Sequence, residues 1–160
     1  MLVPPTRLRR GVAARGVAAL AAAAAAVLAG CDISTDPGAE PQLTLFWQPP
    51  LSLAPTAEDV AKIGITAGTG YVQGLGGTVL APCLTANRNG RFDIGDDEIT
   101  IRVIVTPSGS NCSAGPTSPL SYNVYLLNVE PGTYNVRIIH EGDQLVPTGT
   151  VVKETSVTVI

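Results

Sequence analysis

The 160-residue chain predicts an all-β fold, a single antiparallel β-sandwich over residues 42–160, behind a helical signal peptide that is removed by cleavage. Three observations carry that expectation. Glu98 to Thr106 alternates strictly, with Ile99, Ile101, Val103 and Val105 on one face and Thr100, Arg102 and Thr106 on the other, which is the period of a half-buried strand. Further apolar runs follow at short spacing, separated by Gly, Pro, Asn and Ser, as the turns of a sandwich require. No segment after Cys31 carries the apolar pattern of a long helix.

The leader comes first. Arg7, Arg9, Arg10 and Arg15 precede an apolar run of thirteen residues from Val17 to Ala29, a length that suits a signal peptide and is short for a permanent span. The tetrapeptide Leu28-Ala29-Gly30-Cys31 then resembles the lipobox of bacterial lipoproteins. That resemblance implies cleavage before Cys31, acylation of its thiol and new amino terminus, and the lipid bilayer as a partner. Several acyl chains make such an anchor durable, since each buried methylene adds about 0.8 kcal/mol. Asp32 resembles the inner-membrane retention signal of enterobacterial lipoproteins, while the Arg pair fits a twin-arginine motif poorly. The expected location is therefore the cell envelope, with the choice between inner and outer membrane left open.

Residues 31–41 are polar and carry Pro37, Gly38 and Pro41, so they read as a lipidated tether of about 17 Å as a coil. Leu43 to Trp47 reads as the first strand, ending at Pro49-Pro50. Thr56-Ala57-Glu58-Asp59 offers a hydroxyl cap with an acid three residues on, which predicts one helical turn over 57–62. Tyr71 to Leu80 is extended but interrupted by Gly74, Gly76 and Gly77. After the strand at 98–106 comes a Pro/Gly/Ser loop over 107–119. Strands follow over 121–129, 133–140 and 151–160.

Within this stretch Tyr125-Leu126-Leu127-Asn128-Val129-Glu130-Pro131-Gly132-Thr133-Tyr134-Asn135-Val136-Arg137-Ile138 looks like the hairpin of carboxypeptidase regulatory-like (transthyretin-like) domains. It is similar also to the turn before the tyrosine in immunoglobulin-like sandwiches. The resemblance implies a sandwich of one of those two kinds, with the Tyr134 hydroxyl returning to the backbone.

Charge and cysteine content narrow the function classes. Of the chain's net charge of −3, the four leader arginines contribute +4, which leaves −7 on the part after Cys31, with six bases against thirteen acids. Such a domain repels phosphate backbones, which excludes nucleic acid as the expected partner. With Cys31 lipidated, Cys83 and Cys112 remain, and an even remainder in an oxidising compartment predicts a disulfide between them. Their spacing, with no companion Cys or His, does not fit a metal or redox pair.

The chain holds one histidine, His140, on the inward parity of its strand, and no Gly-x-Ser-x-Gly elbow or P-loop. His140 is expected as a hydrogen-bonded, partly buried side chain near the rim. One segment fits a ligand pattern: Thr85, Asn87, Asn89, Arg91 (through its carbonyl), Asp93 and Asp96 occupy the spacing of an EF-hand or dockerin-type calcium loop, with Gly90 at the reversal. Thr85 in place of Asp and Asp96 in place of Glu weaken the fit, and Asn89-Gly90 equally reads as a type I′ hairpin turn. Phe46 and Trp47 are adjacent, so one of them should face outward. The expectation is a non-catalytic binding or structural module whose partner is an envelope protein or a glycan. No cofactor is required, and calcium at 85–96 is the alternative.

Overall fold

In the computed structural model, residues 38–48, 54–83, 85–109, 112 and 116–160 are described. The expected signal peptide, Cys31 and most of the expected tether lie outside them. The described part is all-β, with two sheets of four strands and a single helical turn.

The first sheet contains β1 (Gln42–Trp47), β2 (Gly64–Gly68), β3 (Tyr71–Ala81) and β6 (Ser118–Leu127), in the order β1-β6-β3-β2. The second contains β4 (Asn87–Ile94), β5 (Glu98–Thr106), β7 (Gly132–Glu141) and β8 (Thr150–Val159), in the order β4-β5-β7-β8. Edge strand β1 contacts edge strand β4, and β2 contacts β8, so the two sheets lie face to face. The chain passes between sheets three times, at β3–β4, β5–β6 and β6–β7.

That routing modifies one expectation. Every pairing is antiparallel except β5 with β7, which run parallel with Ile99 opposite Val136 and Ile101 opposite Ile138. Because β6 crosses to the other sheet before β7 returns, β7 comes back in the direction of β5, which a hairpin cannot do.

Alternation explains the core. Ile99, Ile101, Val103 and Val105 of β5 meet Leu120, Tyr122, Val124 and Leu126 of β6 and Tyr134, Val136 and Ile138 of β7 in one buried cluster. The expected helical turn is present as α1 (Ala57–Val60); the Asp59 carboxylate accepts hydrogen bonds from the Thr56 amide (2.7 Å) and hydroxyl (2.9 Å). The Lys62 ammonium, with these two bonds from Thr56, holds the Asp59 carboxyl at about 2, below the usual range. Val60 closes that turn onto the core.

Two strands went unforeseen. β2 is short and flanked by glycine. β4 occupies the segment assigned to a loop, and its turn into β5 falls at Gly95–Asp97, closed by the Gly95 amide on the Glu98 carbonyl (2.8 Å). Gly90 is therefore no turn residue: it sits inside β4, where a Cβ would lie 2.0 Å from Leu45 Cδ1, so its missing side chain lets β1 approach.

Cys83 and Cys112 are joined with a Cα–Cα distance of 5.2 Å, as expected. Cys83 lies in the β3–β4 crossing and Cys112 in the β5–β6 crossing, so the bridge ties two of the three passages between sheets.

Candidate functional site: one uncharged face

The six residues of the expected calcium loop do not converge. Asn87, Asn89, Arg91 and Asp93 all point outward along β4, over about 20 Å at the rise of an extended strand. Thr85 precedes the strand and Asp96 belongs to the turn. The wrapped loop is replaced by strand because eight consecutive residues pair with β5, and Arg88, Gly90 and Phe92 turn inward. No group of three or more His, Cys, Asp or Glu suited to a metal occurs among the described residues.

His140 lies deeper than its position at a strand end indicated. It is fully buried, with Nε2 at 2.7 Å from the Tyr122 hydroxyl and Nδ1 at 2.7 Å from Asp143 Oδ2. Asp143 Oδ1 in turn accepts the Leu80 amide (3.0 Å) and the Leu145 amide (2.9 Å). One proton arrangement satisfies every atom: Nδ1–H donates to the carboxylate and Nε2 accepts the tyrosine proton. Burial pushes the Tyr122 hydroxyl far above its usual pKa, and the Asp143 charge adds to the shift. Tyr122 is itself 0 % exposed, so this Tyr–His–Asp chain is closed to any substrate and ties β6, β7 and β3 together instead.

Sequence reasoning did not find Asp143, which lies three residues beyond the histidine, past the end of β7. It also did not find the space for the Tyr122 ring. Gly77 stands opposite Tyr122 in register, and a Cβ there would lie 2.2 Å from the ring. The bulge at Gly74–Gly77 permits this; Gly76 adopts φ 73° and donates its amide to Asn123 Oδ1 at 3.0 Å.

The outer surfaces of the two sheets differ in charge. The outer face of β4-β5-β7-β8 is a lattice of ion pairs. Arg102 reaches Glu141 (3.2 Å) and Asp93 (3.8 Å), and Arg137 reaches Glu98 (3.0 Å) and Glu154 (3.2 Å). Asn135 and Arg137 together hold the Glu154 carboxyl below its usual range. In contrast, β1, β2, β3 and β6 contain no Asp, Glu, Lys, Arg or His at any position.

Register places the outward residues of that uncharged sheet in transverse rows. Thr44, Tyr125, Gln73 and Thr66 form one row across all four strands. Gln42, Leu127 and Tyr71 form the row on one side, and Phe46 and Asn123 belong to the row on the other. Phe46 is 56 % exposed and meets Tyr125 edge to face, with ring centroids 5.6 Å apart. Its neighbour Trp47 points inward onto Tyr122, so the expected division of the aromatic pair holds. The amides are already ordered: Gln73 Nε2 donates to Thr66 Oγ1 (2.9 Å), and Gln48 Oε1 accepts from Ser121 (3.0 Å).

No family model, curated protein or solved structure matches the chain.

Proposed function

We propose that the protein is an envelope-anchored, non-catalytic module that works by presenting the outer face of its β1-β6-β3-β2 sheet to a partner. The observation that carries this reading is the partition of charge. Every charged side chain borne by a strand belongs to the second sheet, and the first offers only rings, amides, hydroxyls and aliphatic groups. Charged groups are costly to desolvate, and the centres of recognition patches are depleted in them and enriched in aromatic residues. The rim-like charged lattice on the opposite sheet suits contact with water.

Anchoring is supported by Leu28-Ala29-Gly30-Cys31 and by the polar segment behind it. A tether of that composition holds the domain close to a bilayer without fixing which face looks outward. The finer fold reading is an immunoglobulin-like sandwich in preference to a transthyretin-like one. It is supported by the Tyr134 hydroxyl, which donates to the carbonyl of Glu130 four residues upstream at 3.1 Å, the tie made by the tyrosine corner of such sandwiches.

Two experiments test the proposal. Cys31→Ser should move the protein from the membrane to the aqueous fraction of lysed cells; retention in the membrane would refute the anchor. A benzophenone side chain placed at Phe46 or at Ser156, on opposite sheets, should give adducts in intact envelopes from position 46 alone. Adducts from position 156 alone, or from neither, would refute the assignment of the binding face.

A further inference from the structure

We infer that the uncharged face binds a neutral glycan, an inference that rests on the reading of this sheet as the binding face. Exposed aromatic rings on a sheet admit two occupants of different chemistry, a second copy of the chain or a hydrated ligand, and the order of the rows decides between them. A face that pairs with its own copy places apolar side chains at the centre and polar ones at the rim. Here the one row that crosses all four strands is Thr44, Tyr125, Gln73 and Thr66, each with a hydrogen-bonding group. The next row sets exposed Phe46 and Leu75 on either side of Asn123, so polar and apolar groups are interspersed and do not separate into an apolar centre and a polar rim.

This order suits a sugar. A pyranose presents C–H groups on its flat sides, which settle against aromatic rings, and hydroxyls around its edge, which need both donors and acceptors at fixed positions. Phe46 and Tyr125 supply the rings. Planar amides supply donor and acceptor together. Gln73 donates one N–H to Thr66 and Asn123 accepts the Gly76 amide at its carbonyl, so Gln73 presents its carbonyl oxygen and Asn123 its NH₂ in fixed orientation. Each amide is held in orientation by the bond it has already made, and groups held in their bound geometry lose less entropy when a ligand arrives.

The missing charges set the class of glycan. An anionic polysaccharide would find no cation on these four strands, and a chain with −7 after Cys31 repels it at a distance. A neutral polymer meets neither penalty. Extended oligosaccharides match the flat surface better than a monosaccharide, because no strand among the described residues folds over this side to enclose a single ring.

The test uses the full-length protein in detergent and titration calorimetry with neutral hexasaccharides of glucose (α-1,4, β-1,3 and β-1,4 linked) and of N-acetylglucosamine, with hexagalacturonate as the anionic control. At least one neutral hexamer should bind, and hexagalacturonate should bind at least tenfold more weakly. Phe46→Ala and Gln73→Ala should each weaken binding about tenfold or more at unchanged melting temperature, with Ser156→Ala as the control on the opposite sheet. No heat from any neutral hexamer at ~10 mM, equal binding of hexagalacturonate, or indifference to both substitutions would overturn the inference. So would a dimer in sedimentation that Phe46→Ala converts to monomer, which gives the face to a second copy. If glycans fail while position 46 still forms its adduct in envelopes, the binding face stands and only its ligand class falls.

Discussion

His140 illustrates how one residue type changes meaning with its surroundings. Alone in the sequence, a histidine on an inward parity reads as a core side chain; paired at 2.7 Å with both Tyr122 and Asp143, it becomes the middle of a buried chain linking the two sheets. Removing one hydroxyl from that chain should be costly. Tyr122→Phe leaves Nε2 buried without a partner, and we expect a loss of about 2 kcal/mol in urea unfolding, within the range for an orphaned buried polar group. The same variant should change the alkaline limb. Because burial raises the pKa of Tyr122, the folded protein keeps the proton that the unfolded chain releases above its ordinary value of 10.0. Its contribution is therefore complete below that pH and is lost as pH rises beyond it, at up to about 1.4 kcal/mol per pH unit. Stability measured from pH 9 to 11 should fall more steeply in the parent than in Tyr122→Phe, and parallel slopes would contradict the assignment. Gly142 gives a second residue-scale expectation. It holds φ 77° in the turn after β7, and a Cβ there would lie 2.0 Å from the Val105 carbonyl oxygen. Gly142→Ala combines left-handed strain with a backbone clash, and should destabilise by on the order of 3 kcal/mol, read as a drop in melting temperature.

At the scale of elements, the strands legible in the sequence are those with a simple division of faces. β5, β7 and most of β8 alternate because one side meets the core and the other carries Thr, Arg, Asn and Glu. β4 escaped detection because its inward row is Arg88, Gly90 and Phe92, which mixes a cation and a glycine with a single apolar side chain. The Asn89-Gly90 pair, strong turn chemistry elsewhere, was overridden by the approach of β1 onto Gly90. The uncharged face was present in the sequence as four charge-free runs, but nothing local says that β1, β2, β3 and β6 share a sheet. That fact is long-range pairing, as between Trp47 and Tyr122, and register between distant strands is what local patterns do not carry. The cysteine pair was readable because its evidence was arithmetic rather than geometry. It joins residues 29 apart in two passages between sheets, and in the chain-entropy view such a loop contributes about 3–4 kcal/mol. Replacing both with serine should lower the urea midpoint and steepen the slope of unfolding, because the uncrosslinked chain exposes more surface when it unfolds.

Three local hairpins, β2–β3, β4–β5 and β7–β8, are joined by three crossings between sheets, and this should show in how the molecule folds. Three passages between sheets and the parallel pairing of β5 with β7 make most of the stabilising partners distant in sequence. β6 must bridge β1 and β3 in one sheet while its neighbours in the chain join the other, so neither sheet can be completed by local hairpins alone. Closing such loops costs entropy before the contacts that reward it form, and sandwiches of this kind fold in milliseconds to seconds. Trp47 is the chain's single tryptophan and packs on the Tyr122 ring at 5.5 Å, so its emission reports the moment when β1 seats on β6 over the core. Stopped-flow refolding of the disulfide-intact protein, followed at Trp47, should proceed on that slow scale, with no completed tryptophan signal in the submillisecond range. Removing the bridge should slow the approach further if the two crossings it ties are apposed in the transition state, and should chiefly speed unfolding if they come together after it. A tryptophan signal complete within the mixing time would contradict a fold held together by its crossings.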